Sequence, residues 1–139
     1  MSVEFCDTNV LVYAHDPGAG ERRTQARALL SRLWESGEGA LSLQVLQELY
    51  VVLTRKLRSP LLAASARDIV GLYSTWRVIE PSLGDLQSAI DMSMARQIAF
   101  WDALLVVTAQ RASSTILWSE DLNDGQVFGS TTITNPFRT

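Results

Sequence analysis

The sequence predicts an α/β domain of three layers, with a mostly parallel central sheet of about four to five strands flanked by helices. Two observations carry that expectation. Short apolar or β-branched runs alternate with longer segments whose apolar residues recur at helical spacing, and no long linker, low-complexity tract or internal repeat interrupts the alternation. Strands separated by helices pair in parallel and need cover on both faces. At 139 residues and 47% hydrophobic, the chain is the size of one domain, residues 1–139, with one core.

In chain order, residues 3–6 predict a buried strand and residues 10–14 the start of a helix. Asp16-Pro17-Gly18-Ala19-Gly20 is a turn by composition, and Ala26, Leu29, Leu30, Leu33 and Trp34 then share one helical face until Ser36-Gly37 ends the pattern. Residues 40–43 predict a strand. Val45, Leu46, Leu49, Val52, Leu53 and Leu57 predict the next helix, which stops before Ser59-Pro60; there a further helix, with Pro in its first turn, begins and runs to about Tyr73. Residues 76–79 predict a strand with Pro81 behind it. Ser82 with Asp85 three residues on is a capping pattern, and it opens a helix bearing Leu83, Leu86, Ile90 and Met94. Residues 102–112 predict a helix, 115–118 a strand, 119–129 a loop with turn chemistry, and 131–134 a last short strand.

A formal charge of −3 argues against passive, whole-surface attraction to nucleic acid or anionic membrane, while leaving local basic patches open. Arg22, Arg23 and Arg27 form one such cluster, and Arg55, Lys56 and Arg58 another; solvated helix faces explain both as well as a grip on phosphates does. The single Cys6 can form no internal disulfide, and with the single His15 it offers no soft cluster for zinc. His15 reads as structural or solvent-exposed. No segment approaches the roughly 20 apolar residues of a membrane span, and the first strand begins at once, so a cytoplasmic protein away from membranes is expected.

Four acidic positions stand out where strand ends converge. Asp7 follows the first strand, Glu48 borders the apolar stripe of its helix, Asp102 opens a helix directly after Phe100-Trp101, and Asp121 begins the loop after the strand at 115–118, with Asp124 close behind. Each has an ordinary explanation. Asp7 and Asp102 could be helix caps, Asp121 and Asp124 could shape a turn before Gly125, and Arg55 could neutralise Glu48. Brought to one cleft, however, these carboxylates repel one another unless a cation neutralises them, and all-oxygen ligands suit Mg²⁺ or Mn²⁺. A bound hard cation activates water and offsets charge on phosphate oxygens, which points to phosphodiester hydrolysis.

Asp7-Thr8-Asn9 at the first strand end, Glu48 in QELY, WDALL around Asp102 and SEDL around Asp121 occur in the order that marks PIN domains. The sequence resembles the small bacterial PIN proteins typified by the VapC toxins of toxin–antitoxin pairs, across essentially the whole chain. That resemblance implies a PIN-like fold and a Mg²⁺- or Mn²⁺-dependent endoribonuclease working by metal-activated water. It also implies a homodimer, held inactive by a cognate antitoxin in the active-site groove. Asp7, Glu48, Asp102 and Asp121 match the acidic catalytic and metal-binding quartet, with Asp124 a further possible ligand and Glu120 a competitor in the same loop. Thr8, Asn9 and Ser119 match the polar positions that orient carboxylates or water. Whether one ion binds or two stays open, as does the RNA target. The competing readings are a non-catalytic PIN-fold interaction module and an aspartate-nucleophile phosphatase or phospho-receiver. The latter usually needs a Lys late in the chain, where this sequence has none.

Overall fold

Asp7 and Ser119 lie on adjacent strand ends because of the way the sheet is wound. The computed structural model describes residues 2–138. The elements are β1 (Val3–Cys6), α1 (Thr8–His15), α2 (Glu21–Ser36), β2 (Gly39–Ser42), α3 (Leu43–Arg55), α4 (Ala63–Tyr73), β3 (Arg77–Ile79), α5 (Leu83–Arg96), α6 (Phe100–Arg111), β4 (Ser114–Trp118), β5 (Val127–Phe128) and β6 (Thr131–Thr134). The strand order is β3-β2-β1-β4-β6-β5. Every pairing is parallel except the last, in which the two-residue β5 runs antiparallel to β6. The chain winds outward from β1 to β3 on one side, then crosses back to β4 on the other. Between the carboxyl ends of β1 and β4 it therefore leaves a switch point, the place where open α/β sheets bind ligands.

Phe5, Leu41, Leu117 and Ile133 form the sheet's contribution to the core, with Phe5 opposite Ala40 and Leu117, and Leu117 opposite Ile133. Val10, Leu11, Val45, Leu49, Leu53, Leu30 and Leu33 cover it from α1, α3 and α2. The segment from Ala103 to Ala109 in α6 is buried on every side, as a helix apolar all round must be, with α5 packed on it. Among the described residues, no helix is long and apolar enough to cross a membrane.

Several sequence expectations are corrected in detail. The sheet has six strands because Val127 and Phe128, within the expected loop, pair with β6. A two-residue strand leaves no periodicity to detect. Residues 59–62 are not helical: the Leu61 N–H donates to the Leu53 carbonyl at 2.9 Å, which folds the chain back on α3 and delays α4 to Ala63. The stripe Leu83, Leu86, Ile90 and Met94 faces outward, while Asp85 and Ala89 are buried against α6. The small Ala89 lets the two helices approach closely, and the Ser82–Asp85 capping box, with Arg111 paired to Asp85, secures the start of α5. Glu4, within β1, is also buried. Arg32 meets it through two hydrogen bonds of 2.7 and 2.8 Å and holds its carboxyl below the usual range, with Trp118 Nε1 donating a third.

Gly39 in β2 faces the ring of Trp76, and a Cβ there would collide with it. Gly39→Ala is expected to destabilise the protein by about 1–3 kcal/mol, the usual range for overpacking a buried site. Its midpoint in urea should fall, and an unchanged midpoint would show that the indole moves aside freely.

Candidate active site

Parallel strands in this sheet deliver their chain to one edge, and four separate elements bring a carboxylate there. Asp7 is the first residue beyond β1 and the N-cap of α1. Its Oδ1 accepts the Thr8 backbone N–H at 2.7 Å, and its Oδ2 accepts the Ser119 hydroxyl at 2.9 Å. The cap reading is therefore correct, yet it uses only one of the two oxygens.

Ser119, fully buried just beyond β4, also accepts from the backbone N–H groups of Asp121 (3.2 Å) and Leu122 (3.4 Å). One hydroxyl thus ties the end of β1 to the loop that carries Asp121. Thr8 and Asn9, on the first turn of α1, reach in opposite directions. The Thr8 hydroxyl donates to Glu48 Oε2 at 3.0 Å, and Asn9 Nδ2 donates to Asp121 Oδ2 at 3.0 Å. Gln44, one turn before Glu48 on α3, donates to Glu48 Oε1 at 2.7 Å. The sequence reading missed Gln44, although its i, i+4 spacing to Glu48 is the usual signal for such a pair.

Asp7, Glu48, Asp102 and Asp121 line one cleft of about 240 Å³, together with Thr8, Gln44, Val45, Leu105 and Trp101. None of these is cationic. Burial pushes the Asp7 carboxyl up to about 6, against the opposing pull of its Ser119 and Thr8 hydrogen bonds, and the charges of Asp121 and Glu48 add to the rise. Burial likewise raises Asp102, helped by the charge of Asp121; Asp121 is raised by burial and by the charges of Glu120 and Glu48. Glu48 departs from expectation, since it is exposed at the cleft mouth and not desolvated beside the core; its partners are Thr8 and Gln44, not Arg55. Helical spacing put it next to Val45, Val51 and Val52, but of these only Val45 is buried while Val51 is exposed, so spacing could not say how far the side chain is covered.

Other candidates lie elsewhere. Asp124 is outside the cleft, where its oxygens accept the Asn135 backbone N–H at 2.7 Å and pair with Arg138 at 3.4 Å. Asp124 therefore does not join the other four carboxylates at the cleft. Glu120 points away from the cleft to Tyr13 (2.6 Å) and Arg22 (2.7 Å), with the Arg22 guanidinium over the Tyr13 and Phe137 rings. Arg27 donates to the Ala14 carbonyl, and Arg23 has its Nε buried without a partner. Arg22 and Arg27 of the α2 cluster thus serve intramolecular contacts. Arg55, Lys56 and Arg58 are exposed but lie at the far end of α3, about 10 Å or more from Glu48 by helical rise. His15 is structural, bonded to the Tyr73 hydroxyl at 2.9 Å.

The donor set can be tested against a divalent ion. Among the described residues, no three His, Cys, Asp or Glu side chains already sit close enough together to share an ion. The oxygens of Asp7, Glu48 and Asp121 are instead held by Ser119, Thr8, Asn9 and Gln44. The chemistry of the set nevertheless fits a hard cation: four carboxylates and no cationic neighbour in the cleft, with the pKa values of three displaced upward.

The family model for the PIN domain matches residues 5–123. The chain belongs to the PIN-domain family. Solved structures with this PIN fold include the Mycobacterium tuberculosis VapC20 toxin, described as cleaving the sarcin–ricin loop. It is 23% identical, with a TM-score of 0.65 over 85% of this chain and 89% of that one. A toxin–antitoxin complex from Klebsiella pneumoniae is 20% identical, with a TM-score of 0.72 over 99% of this chain and 100% of that one. VapBC2 from Rickettsia felis, bound to a promoter DNA fragment, is 16% identical, with a TM-score of 0.67 over 96% and 98%. No curated protein matches the chain. These structures share the PIN fold, the fold to which the four acidic motifs pointed.

Proposed function

We propose that this PIN domain is a Mg²⁺- or Mn²⁺-dependent endoribonuclease and the toxin of a toxin–antitoxin pair. The observation that carries the proposal is the convergence of Asp7, Glu48, Asp102 and Asp121, from four elements, on a cleft without a cationic side chain. A divalent ion held by these carboxylates would supply Lewis acidity toward a phosphate oxygen and lower the pKa of a water. The chain's own groups set the geometry. Ser119 and the Thr8 N–H orient Asp7, Thr8 and Gln44 orient Glu48, and Asn9 takes Asp121 Oδ2, leaving Oδ1 to receive a proton from the attacking water. The water oxygen bonds to phosphorus as the bond to the 3′-oxygen breaks, and the leaving 3′-oxygen takes a proton from bulk water, giving a 5′-phosphate and a 3′-hydroxyl. No histidine lines the cleft to drive 2′-hydroxyl attack.

A degenerate interaction module would have no need of a polar scaffold around three of the four carboxylates, Asp7, Glu48 and Asp121, and the phosphatase reading lacks a cation in the cleft. The partners proposed are RNA, a second copy of the chain and a cognate antitoxin. An apolar groove between α3 and α4, lined in part by the exposed Leu43, Tyr50 and Val51, supports the last of these as a seat for a protein segment next to the cleft. The test is cleavage of a panel of structured RNAs with Mg²⁺ or Mn²⁺. Activity should vanish in EDTA and fall at least 100-fold in Glu48→Gln, a change that removes a charge but keeps the shape. Absence of cleavage with either metal, or full activity in Glu48→Gln, would overturn the nuclease reading.

A further inference from the structure

The side chain of Trp101 is 62% exposed in the first turn of α6, beside Asp102, and it lines the carboxylate cleft. We propose that its indole is a stacking platform for an unpaired base of the RNA strand next to the bond being cut; the proposal deepens the nuclease reading and rests on it. The ring is held in place although it contributes little to the core. Phe100 meets it edge to face, with centroids 5.0 Å apart and planes at 71°, and Phe100 itself packs on Ala89, Ala103, Leu104 and Val107. The other apolar residues of the cleft, Val45 and Leu105, are buried, so Trp101 is the one large apolar surface the cleft offers to a ligand among the described residues.

The electrostatics favour a base over other occupants. The cleft carries four carboxylates and no Arg, Lys or His, and both basic clusters lie away from it. The phosphate must therefore be drawn in by an added cation, and the protein itself has little with which to grip the strand at this point. A nucleobase is neutral and flat, so it can rest on the indole without meeting the repulsion that a phosphate would meet. Bases within a duplex are already stacked on their neighbours, whereas a loop or bulge can splay one out. The substrate class is accordingly RNA with an unpaired nucleotide flanking the scissile phosphate. Since every base has a π-face, Trp101 selects for the unpaired state more than for sequence.

The experiment uses a hairpin RNA that the wild-type protein cuts within the loop, and versions of it carrying an abasic nucleotide on either side of the cut. With Mn²⁺ present, Trp101→Ala should lower kcat/KM on the intact hairpin by roughly 5- to 100-fold, and Trp101→Phe by much less. On the hairpin that lacks the stacked base, wild type and Trp101→Ala should be equal. Equal losses on intact and both abasic substrates would overturn the proposal, and so would conversion of a dimer to a monomer by Trp101→Ala in sedimentation, which would make the ring a protein contact. A wild-type chain that cuts no RNA would instead overturn the nuclease reading itself.

Discussion

Replacing Asp7 by Asn is expected to abolish RNA cleavage and, at neutral pH without divalent ions, to make the protein more stable. The carboxyl's ordinary value of 3.8 rises in the folded protein to about 6, chiefly through burial. Between those two values the folded protein holds a proton that the unfolded chain has already released. Stability must therefore fall as pH rises from about 4 to about 6, by an amount on the order of 1–3 kcal/mol for this one group. Asn keeps an acceptor for the Thr8 N–H, and its Nδ2 can donate to the Ser119 hydroxyl where Asp7 accepted from it, all without the buried charge, so the variant should lack that part of the slope. Urea unfolding in EDTA at pH 4, 5, 6 and 7 checks this: the two proteins should be closely matched at pH 4, with the variant ahead at pH 7. Added Mn²⁺ should then raise the midpoint of wild type and leave Asp7→Asn nearly unmoved. A variant that is less stable at pH 7 would mean that the Asp7 charge is already compensated within the fold.

Ser119→Ala is expected to lower both stability and activity. The lost hydroxyl, itself closed to solvent, frees Asp7 Oδ2 and leaves the part-buried Asp121 and Leu122 N–H groups without an acceptor. An unsatisfied buried group costs about 1–3 kcal/mol. The Ser119 bond also pulls the Asp7 carboxyl down, so its removal pushes that carboxyl further up and extends to higher pH the range over which stability declines. Loss of a residue that orients a metal-binding carboxylate typically lowers metal affinity or activity 10- to 100-fold. The readouts are the urea midpoint and the Mn²⁺ concentration giving half-maximal cleavage, which should rise. A lowered midpoint with unchanged metal dependence would assign Ser119 to stability alone.

Much of the frame was legible before any coordinates. β1, β6 and the capping box that opens α5 follow from short β-branched runs and Ser-x-x-Asp spacing, because those signals depend on residues adjacent in the chain. Asp7, Asp102 and Asp121 were legible for a similar reason, since a carboxylate just past an apolar strand or at the first turn of a helix marks an element end; Glu48, inside α3, was legible from the apolar stripe it borders. Reading Leu83, Leu86, Ile90 and Met94 as a stripe was sound as periodicity, but the covered face of α5 is the one with Ala89. Period says which residues share a face, and only the packing partner says which face is covered. Asp124 failed for a related reason, since its distance along the chain from Asp121 is short while its partners belong to the C-terminal segment.

By itself, then, the sequence determined the alternation of strands and helices, the family, and four carboxylates, three of them at element ends and Glu48 within α3, since each of these is written in local pattern and composition. The tertiary structure alone decided the rest. It placed β1 beside β4 so that Ser119 meets Asp7, set the Thr8 hydroxyl on Glu48, turned Arg22 and Glu120 toward each other, and left Trp101 facing the cleft. Those contacts join residues as many as 112 positions apart, and their geometry depends on sheet order and side-chain direction, which no local pattern of residues encodes.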